Sequence, residues 1–351
     1  MILNQAGRSS FRRATLGFIS ALICIVLIPR AVLPQTAAPN LNFDTAIEHA
    51  ESMPRLYSLL VSHDGQLVLE HYFNGKGRND IANVKSVSKS IMSALVGIAI
   101  EQGHIHAVDQ PIGEYFGKQL SGAADTAKNG ITVEDLLTMR SGLETTSNRN
   151  YGAWVLSSNW IDFALQQPLE RLPGTRMQYS TGNTHLLSAI LSQTTGQNTL
   201  QFAREALGRP LGFHLAAWPR DPQGIYFGGN DMELTPRQML AFGELYLNGG
   251  RANGEQIVPS NWVEASLRPR TISPRGDDRY YGYGWWIRNM AGYQTPYAWG
   301  YGGQFVLLVP ELELVVVTTS SSIPGRDRRP HTRRIYDFVE YEIIAQAAAV
   351  L

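Results

Sequence analysis

The sequence predicts an α+β fold: an antiparallel sheet built from strands at both ends of the chain, with flanking helices and an inserted, mainly helical region. Three observations predict it. Residues 56–73 alternate, are rich in Leu, Val and Tyr, and are interrupted by His63-Asp64-Gly65, the pattern of a hairpin turned at Asp-Gly. From about residue 104 to 250 the alternation gives way to helix caps and glycine stops. After about residue 270 strand-like segments return. With 351 residues and 44% hydrophobic content, the chain can bury a sizeable core.

The elements follow in order. After the hairpin, residues 86–101 read as a helix that is apolar nearly all round, which places it in the centre of the molecule, and Gly103 ends it. Thr132-Val133-Glu134-Asp135 has the form of a capping box ahead of Leu136-Leu137-Thr138-Met139, stopped at Gly142. A further helix is predicted over 184–195, ended by Gly196. Thr235-Pro236 supplies an N-cap followed by proline at the first helical position, and Asn248-Gly249-Gly250 closes that helix. Strands are predicted over 283–288, 304–309 and 314–319, the last two joined by a turn at Pro310-Glu311-Leu312-Glu313. A final helix runs from about 334 to 348. This divides a domain over residues 42–345 into a sheet-bearing part, about 42–103 and 250–348, and a helical part, about 104–249. No internal repeat and no low-complexity tract interrupts it.

Residues 1–37 carry the marks of an export signal: Arg8, Arg12 and Arg13, an apolar run over 16–28, then small and polar residues around Gln35-Thr36-Ala37. The run is too short to span a bilayer comfortably. The expectation is a periplasmic or secreted protein, with an uncleaved anchor facing the periplasm as the alternative. Cys24, the one cysteine, lies in this segment, so a processed chain would have neither a disulfide nor a thiol nucleophile.

Ser86-Val87-Ser88-Lys89, running into the apolar stretch that follows, is the segment with chemistry in it. A helix starting near Ser86 places the Lys89 amine beside the Ser86 hydroxyl, because residues three apart share a face, and the helix N-terminus favours developing negative charge. That pairs a nucleophile with its own base. The chain has five lysines against 25 arginines, and among them only Lys89 has a serine three positions before it. Arginine cannot surrender its proton in a protein, whereas a desolvated lysine can.

On these residues the chain resembles the serine β-lactamase and penicillin-binding superfamily, specifically the class C β-lactamase-related hydrolases that include esterases and nylon-oligomer hydrolases. The segments that carry the resemblance are Ser86-Val87-Ser88-Lys89-Ser90, Leu136-Leu137-Thr138-Met139-Arg140-Ser141-Gly142-Leu143, Pro173-Gly174-Thr175, Tyr179-Ser180-Thr181-Gly182-Asn183, Leu234-Thr235-Pro236 and Gly300-Tyr301-Gly302-Gly303-Gln304, in one order across residues 42–345. The resemblance implies a β-lactamase/penicillin-binding-like fold and an acyl-enzyme on Ser86, with Lys89 and Tyr179 exchanging protons. It also marks two departures. The tyrosine motif has Thr181 where the family has asparagine, with Asn183 as a possible substitute. The strand motif that usually carries Lys or His reads Ala298-Trp299-Gly300, so no cation stands there. By resemblance, Trp299 and Gly300 border the site, and the Tyr301 amide joins that of Ser86 as an oxyanion hole. The missing cation favours neutral esters or amides; the alternative is a β-lactamase or D-Ala-D-Ala peptidase-like, penicillin-recognising protein with weak turnover. Trp154, Trp160 and Trp299 are candidates for an apolar acyl pocket.

Other classes are disfavoured. The net charge is zero and no basic stripe interleaves with aromatics, so nucleic acid is not an expected partner. The arginine-rich stretch over 325–334 reads as a solvated surface loop. No Gly-x-Ser-x-Gly elbow occurs, His185 reads as structural, and His104-Ile105-His106 lacks a third ligand at familiar spacing, so no metal is expected. Gly300-Tyr301-Gly302-Gly303 is followed by a strand rather than a helix, which argues against a dinucleotide loop and any cofactor. The expected partner is a small-molecule ester, amide or β-lactam, with membrane association only through the N-terminal segment.

Overall fold

The computed structural model describes residues 41–122, 126–274, 276 and 278–351; the expected export segment and Cys24 lie outside the described residues. Helix α1 (Asp44–Glu51) precedes the hairpin of β1 (Leu56–His63) and β2 (Gln66–Tyr72), which turns at Asp64-Gly65 as expected. Strand β3 (Ala82–Lys85) leads into α2 (Ser88–Glu101). The central region holds α3 (Gly113–Leu120), α4 (Val133–Leu137), α5 (Tyr151–Val155), α6 (Trp160–Gln166), α7 (Thr181–Thr195), α8 (Thr199–Ala203), the short strand β4 (Met232–Leu234) and α9 (Pro236–Leu247). A small hairpin, β5 (Arg251–Ala252) and β6 (Glu255–Gln256), precedes α10 (Ser260–Leu267). Then come β7 (Thr271–Ile272), β8 (Arg279–Tyr281), β9 (Trp286–Met290), β10 (Tyr293–Gly300), β11 (Gln304–Val309), β12 (Leu314–Ser320) and α11 (Arg328–Phe338).

Eight strands form one antiparallel sheet in the order β2-β1-β12-β11-β10-β9-β8-β7, and β3 pairs separately with β4. The first hairpin is thus joined to the last six strands by β1 against β12. Side chains alternate between the two faces of a strand. Leu314 and Val316 pack with Phe43, Ala46, Ile335 and Phe338 of the terminal helices, whereas Val315 and Val317 pack with Leu95 of α2 and Phe242 of α9. Both faces are covered, which is why β11 and β12 read as continuous apolar runs.

Several boundaries differ from expectation, each for a specific reason. Helix α2 begins at Ser88 instead of Ser86: residues 86–87 form a turn in which the Lys89 N–H donates to Ser86 O at 3.0 Å. Helix α7 begins at Thr181 instead of Thr184, because its first N–H groups are capped by side chains distant in sequence. The Thr181 N–H donates to Ser147 Oγ at 2.9 Å and that of Gly182 to Thr146 Oγ1 at 2.7 Å. The strand expected over 283–288 starts at Trp286, since residues 282–285 close a turn with the Gly282 N–H donating to Trp285 O at 2.8 Å. Strand β10 is longer than the strand motif at Ala298-Trp299-Gly300 indicated: it begins at Tyr293, its start disguised by Pro296. The arginine-rich stretch is not all loop: from Arg328 it forms the start of α11, six residues earlier than the final helix was expected.

Candidate active site

Ser86 sits, partly exposed, on the turn between β3 and α2, and Lys89 lies one turn further in with only 1% of its surface accessible. The Lys89 ammonium nitrogen lies 3.3 Å from Ser86 Oγ and 3.3 Å from Thr181 Oγ1, and it also donates to the carbonyl of Gly229. Burial pushes the Lys89 pKa down to about 7, with the Asp231 carboxylate opposing the shift. A lysine in that range is substantially neutral near pH 7 and can take a proton. Three separate segments make its socket: the 86–89 turn, the start of α7, and the loop before β4. Gly229 is confined there, because a Cβ would lie 2.0 Å from Thr184 Oγ1 and 2.9 Å from Lys89 Nζ.

Tyr179 faces the same amine, with Lys89 Nζ 5.1 Å from the ring centroid. Its ring stacks on Trp286 at 5.7 Å and meets Tyr281 edge-on at 6.4 Å, while Thr145 Oγ1 donates to its carbonyl at 2.7 Å. These contacts fix the ring's plane. Thr181 is held by Ser147, the two hydroxyl oxygens 2.9 Å apart.

A cavity of about 540 Å³ opens over Ser86, and Tyr179, Thr181, Trp299 and Tyr301 all line it. Asn183 does not: it is buried, its Oδ1 accepting from Ser141 Oγ at 3.1 Å, so it does not stand in for the missing motif asparagine. Gly300 is absent from the lining as well. It closes β10 against β3, where a Cβ would come within 2.2 Å of Val84 O, so its small size serves strand packing. Trp154 and Trp160 pack in the helical region against His185 and Phe227, which leaves Trp299 alone of the three tryptophans at the cavity. His185 is fully buried and bonded to Asp221 at 2.9 Å. Among the described residues no cluster of three or more His, Cys, Asp or Glu side chains is arranged to hold a metal, and no helix is long and apolar enough to cross a membrane.

The cavity also draws on residues that sequence reasoning did not single out: Lys85, Ser147, Asn148, Tyr151, Asn230 and Asp231. The signal available for the last two was the turn-forming run Gly228-Gly229-Asn230-Asp231. Arg328, from the supposed surface loop, lies 4.1 Å from the centroid of the Tyr301 ring and so braces one wall.

Comparison with known proteins agrees with this fold. The Beta-lactamase family profile matches residues 49–340. A 6-aminohexanoate-dimer hydrolase of Paenarthrobacter ureafaciens is 26% identical over 294 residues, covering 75% of this chain and 72% of its own length. Among solved structures, a class C beta lactamase from Rhodobacter sphaeroides superposes with a TM-score of 0.63 at 15% identity, covering 84% of this chain and 97% of that one. EstCE1, a hydrolase with promiscuous acyltransferase activity, superposes with a TM-score of 0.66 at 18% identity, covering 85% and 96%.

Proposed function

Because the chain belongs to the β-lactamase family and is a serine hydrolase of that fold, we propose that it cleaves a small, uncharged ester or amide through an acyl-enzyme on Ser86, and that it does so outside the cytoplasm. The observation that carries the chemistry is the buried Lys89 amine 3.3 Å from Ser86 Oγ, with its pKa brought down to about 7. In this mechanism neutral Lys89 takes the Ser86 proton as the oxygen attacks the carbonyl carbon. The backbone amides of Ser86 and Tyr301 receive the oxyanion. Tyr179 passes a proton to the departing alcohol or amine, which leaves the acyl group on Ser86. Water then attacks the acyl-enzyme, its proton goes back through the Lys89–Tyr179 pair, and Ser86 is regenerated.

The substrate reading rests on the cavity's charges. Lys85 and Asp231 neutralise each other at 2.7 Å, and Arg328 is stacked on Tyr301. Four aromatic rings, Tyr151, Tyr179, Trp299 and Tyr301, share the remaining walls with the uncharged polar side chains of Ser147, Asn148, Thr181, Asn230 and Ser322. Such a surface suits an apolar acyl group next to an ester or amide, and among the described residues the one cation that lines it, Lys85, is paired with a carboxylate. The names of the hydrolase relatives, one a 6-aminohexanoate-dimer hydrolase and one a hydrolase with promiscuous acyltransferase activity, support this choice.

Intact-protein mass spectrometry after brief exposure to p-nitrophenyl acyl esters, with chromophore release followed in parallel, tests the proposal. An acyl adduct on wild type and none on Ser86→Ala is the expected result. A stable penicillin adduct without ester turnover would move the function to penicillin recognition, and no adduct with either class would remove the acyl-enzyme. Export is tested by the N-terminus of the mature protein: processing close to residue 37 is expected, and an intact Met1 in a soluble cytoplasmic fraction overturns it.

A further inference from the structure

The ion pair of Lys85 and Asp231 has no part in the mechanism above, yet it stands at the junction of the two segments that make the Lys89 socket. Lys85 immediately precedes Ser86, and Asp231 lies two residues after Gly229, whose carbonyl receives Lys89. Both have left-handed backbone, φ 51° at Lys85 and 62° at Asp231, a conformation that side-chain-bearing residues keep only where their surroundings enforce it. A ring of hydrogen bonds enforces it here. Lys85 Nζ donates to Asp231 Oδ1 at 2.7 Å, Asn83 Nδ2 donates to the same oxygen at 2.9 Å, and the Lys85 N–H donates to Asn83 Oδ1 at 3.0 Å. On the other side Ser88 Oγ donates to Lys85 O at 2.6 Å and accepts from the Met232 N–H at 3.2 Å. The register of β3 against β4 shifts between Asn83 and Lys85, so the ring coincides with a bulge. The charged side chains are 22% and 20% exposed, sheltered from full solvent screening.

We propose that Lys85 and Asp231 are a positioning pair: they hold the Ser86 turn and the Gly229 loop at a fixed spacing around Lys89, and their opposed charges set the pH at which Lys89 accepts the Ser86 proton. The proposal rests on the roles given to Ser86 and Lys89 above. A carboxylate at Asp231 favours the protonated amine, and an ammonium at Lys85 disfavours it. Among the described residues, the other groups that face Lys89 carry no fixed charge. They are the Ser86 and Thr181 hydroxyls, the Gly229 carbonyl and the Tyr179 phenol, the last backed by Tyr281. Helix α10 meets α2 through the uncharged Trp262 at Gly97.

The test measures the rate of Ser86 phosphonylation by a fluorophosphonate probe, read by intact mass, from about pH 5 to pH 9. It compares wild type, Asp231→Asn, Lys85→Met and Lys85→Arg, with folding checked by circular dichroism. Lys89 must be neutral to act, so the rate falls as pH drops through its pKa. Asp231→Asn lowers that pKa and moves the acid limb to lower pH by up to about one unit; Lys85→Met leaves Asp231 unopposed and moves it upward by a similar amount. Lys85→Arg retains the wild-type limb. Opposite shifts support the proposal, whereas shifts in one direction, or unshifted limbs in labelled variants, overturn it. If Asp231→Asn fails to fold, Lys85→Met decides: an acid limb at or below the wild-type position overturns the proposal. Wild type that is unlabelled at every pH sinks the role of Ser86 itself, an outcome distinct from labelling without shifts.

Discussion

At the residue scale, the proposed chemistry rests on one lysine kept out of water. The Lys89 side chain is 1% exposed and its pKa is about 7 against 10.5 for the free group. Arginine at this position stays protonated at any accessible pH, so Lys89→Arg should abolish Ser86 acylation by p-nitrophenyl esters, a loss of at least ~10²–10⁴-fold in single-turnover rate. The same burial has a thermodynamic signature. Between about pH 7 and 10.5 the unfolded chain binds a proton at Lys89 that the native protein does not, so wild-type stability rises with pH across that window, by up to ~5 kcal/mol. Lys89→Met has no such proton to lose. Its melting temperature relative to wild type should therefore be higher at about pH 6 than at about pH 10; a pH-independent difference would show that the native lysine is not desolvated. Ser86 and Lys89 were legible in the sequence because four consecutive residues contain both groups and the helix that aligns them. Asp231 was not, since its relation to Lys89 depends on a loop 142 residues further along, a separation read from the numbering.

At the element scale, helix α7 shows how a start signal can lie outside the local sequence. Ser180 occupies its N-cap without a side-chain cap bond of its own, and Thr146 and Ser147 supply the acceptors. This explains why a local reading placed the helix three residues late. It also links α7 to the site, because Thr181 at its first position bonds both Ser147 and Lys89. Thr146→Val should leave the Gly182 N–H without its acceptor and cost about 1–2 kcal/mol, measured by urea unfolding. An unchanged denaturation midpoint would mean that the helix start does not depend on this bond. The hairpin, the capping box at Thr132, the N-cap at Thr235, and the strands β11 and β12 were legible, because their signals are contiguous: Asp-Gly, Thr-x-x-Asp, Thr-Pro and runs of Phe, Leu, Val and Thr.

At the scale of the whole molecule, strands from both ends of the described region meet in one sheet, and the helices α1 and α11 cover one of its faces. His331 of α11 ties that helix to the sheet, its Nε2 lying 3.0 Å from Ser320 Oγ. Burial pushes its pKa down from 6.5 to about 4. The unfolded chain protonates this histidine below pH 6.5 while the native protein does not, so stability should fall as pH drops from about 6.5 to about 4, by on the order of 2–3 kcal/mol. In His331→Gln, thermal melts should show a flatter pH dependence over that interval; an unaltered slope would assign acid sensitivity to other groups. The sequence by itself determined the α+β class, the placing of strands toward both ends, and the Ser86–Lys89 pair with its Tyr179 partner in a recognisable order of motifs. These depend on period, caps and short spacings, which are written in neighbouring residues. Only the tertiary structure decided that Thr181 reaches Lys89 while Asn183 turns into the core, that Trp299 lines the cavity while Trp154 and Trp160 do not, and that Lys85 meets Asp231. Those outcomes depend on where segments far apart in the chain come to lie, and there the packing of the whole molecule selects one contact among several that composition allows.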